Sequence, residues 1–152
     1  MQNPNSNVEA KYRATTVVWF ALLVSQLLFL VVLFFIKPEI YRLDFSRPLL
    51  GEQPAIVMAL AVLGVSTFLL SFVLKRKFIN QAISEQKTAL LQTATIIGCA
   101  LCEATTLFGF VLAFIANYQY FFLWFALGIL GIILHFPKRG DFIAASFKNS
   151  DS

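Results

Sequence analysis

Four apolar stretches, divided by polar segments marked with proline and glycine, set the plan of the chain. The first covers residues 17–36, VVWFALLVSQLLFLVVLFFI, and stops at Lys37-Pro38. Its 20 residues at about 1.5 Å each match a hydrocarbon layer of about 30 Å. Residues 54–74 form a second stretch that opens on Pro54, a residue suited to a first helical turn. The third spans residues 93–115, and the fourth, 120–136, follows after a link of only four residues. So short a link predicts that these two helices run antiparallel as a hairpin. The polar residues 1–14 are expected to be irregular. The following run is too long for a leader's apolar core and lacks a small-residue cleavage site, so it reads as a span.

Composition sharpens this picture. Hydrophobic residues make up 59% of the 152, and charged residues only 13%, about half the share of a soluble domain. The chain is predicted to be an all-α integral membrane protein, with four transmembrane helices in a compact antiparallel bundle. The membrane domain is 15–137, and 138–152 is a tail. Lys11, Arg13, Lys75, Arg76, Lys77, Lys87, Lys138, Arg139 and Lys148 share one side in this topology, against Lys37, Arg42 and Arg47 on the other. The excess of cations places both termini in the cytoplasm. The same clustering beside apolar spans argues against nucleic acid, because no basic face with interleaved stacking aromatics is present. Tyr118, Tyr120 and Trp124 are expected to form an aromatic belt at one membrane edge. Trp19 is expected to anchor another, and His135 to lie at an interface.

Candidate chemistry centres on Glu103, the single carboxylate within the apolar spans. A charged carboxylate at mid-bilayer costs several kcal/mol, so such a group rests as the neutral acid and faces protein or water. Gln26, Gly64 and Gly128 fall near the middle of their own spans, at about the same depth. Gln26 is therefore a candidate hydrogen-bond partner, and the two glycines leave room. Small residues Thr95, Cys99, Cys102, Thr106, Gly109, Ala113 and Ala116 lie within about 50° of one direction around the third helix. That stripe predicts a close helix contact, expected against the second span. Glu103, Gln26 and Thr106 make up the candidate ion-binding set; Gly64, Cys99, Gly109 and Gly128 are the close-packing set. Cys99 and Cys102 could suggest redox chemistry, but they lie at lipid depth with no second pair, so packing is the reading preferred. With one histidine, two cysteines and no second acidic group beside them, no usual zinc site can be assembled, and no cofactor is expected. A nucleophile–base pair and a phosphate loop are both missing, which argues against an enzyme.

Residues 100–113, ALCEATTLFGFVLA, resemble the carboxylate-bearing helix of the rotary ATP synthase subunit c proteolipids. The resemblance implies that Glu103 is the ion-carrying carboxylate and that Ala104, Thr106 and Gly109 are close-packed positions. Ala104 lacks the hydroxyl that sodium-binding members place there, so a proton is the ion implied. The first and fourth spans have no counterpart in that two-helix subunit. Two readings follow. In one, Glu103 handles protons within a larger membrane assembly, formed with copies of the chain or with other membrane subunits. In the other, the protein is a non-catalytic scaffold or accessory subunit in which Glu103 only packs the helices.

Overall fold

The computed structural model of the protein describes residues 4–42, 44 and 46–146. It is helical, with no strand among the described residues. Helix α1 (Pro4–Ile36) leads through a 3-10 turn (Pro38–Tyr41) and an irregular loop into α2 (Pro54–Ser84). Then follow α3 (Ala89–Ile115), the shorter α4 (Phe121–Leu134) and a final α5 (Arg139–Ala144). Three helices, α1 from Asn7 onward, α2 and α3, are long and apolar enough to cross a membrane, while α4 is apolar but has 14 residues. Large apolar side chains stand open around the outside, Phe35 at 78% and Val17 at 68% exposure. Water would not tolerate so continuous an apolar surface, and a membrane would cover it.

Helix α3 is the centre of the packing: α1, α2 and α4 all lie against it. Its neighbours are fixed by paired contacts that run in register. On α2, Thr67 Oγ1 and Thr105 Oγ1 are 3.1 Å apart, and both donate to the Gly64 carbonyl at 3.0 and 3.1 Å. Farther along, Val57 joins Leu112 in one apolar cluster, and Ala82 joins Leu91 in another. The two helices are therefore antiparallel. On α1, Ser25 meets Glu103 and Lys37 meets the end of α3, so α1 is parallel to it. Lys37 Nζ donates to the carbonyls of Ala113 and Phe114 at 3.3 and 3.0 Å and to Asn117 Oδ1 at 2.6 Å. It thus supplies a cation where the helix ends in unpaired carbonyls.

The small-residue stripe of α3 is buried from Thr95 to Ala113, but its close partner is α4 rather than α2. A methyl group added at Gly109 would overlap Trp124. At Gly128 it would overlap Thr106 Oγ1, and at Gly131 it would meet Cys102 Sγ. The two helices approach so closely because glycine stands wherever the other presents a side chain. Trp124, expected in an interfacial belt, is only 8% exposed. It fills the notch that Gly64 and Gly109 leave between α2 and α3. Cys99 is buried with Cys102 and Ile132 in the same core. Both cysteines are free thiols.

The polar residues 4–14, expected to be irregular, continue α1 as helix. Their order has a packing cause. Tyr12 stacks edge-on against Phe142, Glu9 pairs with Arg139 at 3.2 Å, and Lys11 donates to Thr88 at 2.7 Å. Phe142, Ala82, Leu91 and Ala145 form a second small core at this end. The tail beyond residue 146 lies outside the described residues. At the other end the loop is tied to the α3–α4 link: the Gln119 side-chain amide exchanges two hydrogen bonds with the Asp44 backbone, and Tyr118 and Tyr120 donate to the carbonyls of Leu49 and Arg47.

Candidate functional site

The outward face of α3 runs through Ile96, Ala100, Leu107 and Val111, all exposed. Glu103, three residues after Ala100 and four before Leu107, belongs to this face by helical spacing. It is half-buried because α1 flanks it on one side. The carboxyl group therefore sits midway along the most deeply packed helix, yet at the border of its open surface.

Ser25 of α1 meets it. Ser25 Oγ stands 2.7 Å from Glu103 Oε1 and 2.8 Å from the Leu22 carbonyl. A hydroxyl has one proton to donate, and a carbonyl can only accept. Beside an ionised Glu103 the Ser25 proton can serve only one of its two neighbours. With a protonated Glu103 the chain closes: the acid donates to Ser25 Oγ, and Ser25 donates to Leu22.

Gln26, the expected partner, does not hydrogen-bond Glu103. One residue on from Ser25 it points about 100° farther round α1, and both its amide atoms are buried with no hydrogen-bond partner. Trp19 of the same face donates its indole N–H to the Ile132 carbonyl of α4 at 2.6 Å. Seven residues deeper, Gln26 stands level with the region of α4 around Phe125. Thr106 is also fully buried, and its Oγ1, close to Gly128, has no hydrogen-bond partner. The structure therefore brings Ser25 to Glu103 and turns Gln26 and Thr106 toward α4.

His135, expected at an interface, is fully buried. It sits against Phe72 at 4.6 Å between ring centroids, and Gly98 leaves the space for its ring. Its Nδ1 lies 2.7 Å from the Gly131 carbonyl and 3.9 Å from Cys102 Sγ. Since that carbonyl can only accept, Nδ1 carries the proton, and the buried Nε2 is left as an acceptor without a partner. Nothing in the sequence around His135, next to Phe136-Pro137, distinguishes this burial from a membrane edge. The one signal was Gly98, which lies one turn before Cys102 on α3. No group of three or more His, Cys, Asp or Glu side chains gathers at metal-binding distance among the described residues.

No protein family, no curated protein and no solved structure matches the chain.

Proposed function

We propose that the protein is a multi-pass membrane protein in which Glu103 is a proton-exchanging carboxyl group presented at the side of the helix bundle. In this reading α4 is the fourth span and both termini are cytoplasmic. The protein works beside copies of itself or other membrane subunits, since a lone carboxylate offers no continuous path. The observation that carries the reading is the Ser25 hydroxyl, 2.7 Å from Glu103 and 2.8 Å from the Leu22 carbonyl: its one proton cannot serve both, whereas a protonated Glu103 can donate to Ser25 while Ser25 donates to Leu22. The exposed neighbours Ala100 and Leu107 give that proton a lateral way in and out. The likeness of residues 100–113 to the proteolipid carboxylate helix points the same way.

A second reading has its own observation. The same contact joins α1 to α3 across 78 positions of the chain, so Glu103 can serve as a cross-link in a scaffold. Carbodiimide labelling in lipid separates the two, with Glu103→Gln as the blank. Fast labelling at Glu103, lost in the Glu103→Gln blank, is the expected result. Absence of labelling at every pH would leave Glu103 a sealed structural group and sink the proton-exchange reading.

A further inference from the structure

At the cytoplasmic end of the proposed topology, a cleft of ≈ 400 Å³ opens between the end of α2 and the joint of α4 with α5. Its walls are of two kinds. Phe72, Ile79 and Leu134 supply an apolar side, and Leu134 is 56% exposed. Lys75, Arg76 and Lys138 supply three cations, opposed by the single carboxylate of Asp141. Arg139, next in the chain, is held elsewhere by Glu9 at 3.2 Å. Lys75 is half-buried, and its Nζ lies 3.5 Å from the Leu134 carbonyl, so its stem lines the floor of the cleft. The cleft occurs where the apolar runs of α2 and α4 end, at residues 74 and 136. A net excess of cations therefore stands directly beyond an apolar slot.

We propose that this cleft binds an anionic phospholipid, its phosphate among Lys75, Arg76 and Lys138 and an acyl chain along Phe72 and Leu134. Free phosphate has the charge but no use for the apolar wall; a zwitterionic lipid has the chain, but its own ammonium group opposes the three cations. Basic pockets between helices at a cytoplasmic membrane face hold anionic headgroups on the same grounds. The inference rests on the membrane location proposed above, not on the role of Glu103.

The test is native mass spectrometry of the full chain released from phosphatidylglycerol/phosphatidylcholine vesicles. Retention of phosphatidylglycerol over phosphatidylcholine is expected. The triple substitution Lys75→Gln, Arg76→Gln, Lys138→Gln is expected to lower that retention at least about tenfold, since each cation near an anionic surface matters several-fold. A charge-matched triple on the same side but outside the cleft, Arg13→Gln, Lys77→Gln, Lys87→Gln, is expected to lower it far less, and Glu103→Gln to leave it unchanged. Equal loss in both triples would reduce the effect to bulk charge and overturn the site. So would displacement of the lipid by millimolar inorganic phosphate. Helix content by circular dichroism confirms that each variant is folded. Extraction of the chain from membranes by alkaline carbonate would refute the membrane location itself, separately from the cleft.

Discussion

Ser25 Oγ and Glu103 Oε1 meet at 2.7 Å, joining the first helix to the third at the one carboxyl group within the apolar spans. Because the contact is a single hydrogen bond at the border of the open face, breaking it should free the acid without unfolding the bundle. Ser25→Ala is expected to cost about 0.6 kcal/mol, the average for such interhelical bonds in membranes. It should also speed carbodiimide attack on Glu103. A thermal melt and a labelling time course check both, and slower labelling would contradict the geometry.

Gln26 gives the opposite sign. Its amide is buried with neither atom paired, and a buried unpaired polar group costs about 1–3 kcal/mol. Gln26→Leu is therefore expected to raise thermal stability by about 1 kcal/mol, once the change of shape is allowed for. A melting temperature lower than that of the parent chain would mean that the amide has a partner in the membrane.

Two glycines offer a controlled comparison. At Gly128 a methyl group meets Thr106 and the Cys102 carbonyl, whereas at Gly140 nothing lies within 4 Å. Gly128→Ala should destabilise by about 1–3 kcal/mol through overpacking. Gly140→Ala, within α5, should be neutral or stabilising by up to about 1 kcal/mol. Chemical or thermal unfolding of the pair decides it. Equal effects would place the α3–α4 contact elsewhere.

The turn between α2 and α3 carries a pH dependence. Hydrogen bonds from Lys87 and then Gln81 hold the Glu85 carboxyl below its ordinary value of 4.5. A depressed folded value means that this contribution is present above the ordinary value and is lost as pH falls through the folded one. Amide exchange in the turn, corrected for intrinsic rates, should therefore show less protection near about pH 3 than near about pH 6. Glu85→Gln should abolish the difference.

How much of this was legible in the sequence depends on what periodicity can encode. The apolar runs announced long helices because length and composition alone decide that. The stripe from Thr95 to Ala113 fixed one direction around α3, but a stripe does not name its partner. The hairpin partner α4 takes it, because Gly128 and Gly131 face Thr106 and Cys102. Choosing between Ser25 and Gln26 needed the rotation of α1, and a helix apolar all round gives no such bearing. Trp124 and His135 turn inward rather than to an interface, which periodicity does not encode either. Large amphipathic rings near a span end suit an interface, and only the glycines across from them, Gly64, Gly109 and Gly98, reveal that they point inward.

Helix α4 has 14 residues where α1, α2 and α3 have 33, 31 and 27. At about 1.5 Å per residue it reaches about 21 Å, well short of a hydrocarbon layer of about 30 Å. With α4 as a span, the protein is long on three sides and short on the fourth. Lipid beside α4 must then thin, while lipid beside α1 need not. Such a wedge prefers thin or already deformed bilayers, and two copies placed with their α4 sides together would share one dimple instead of making two. As a span, the short helix would thus be a source of attraction between molecules that never touch.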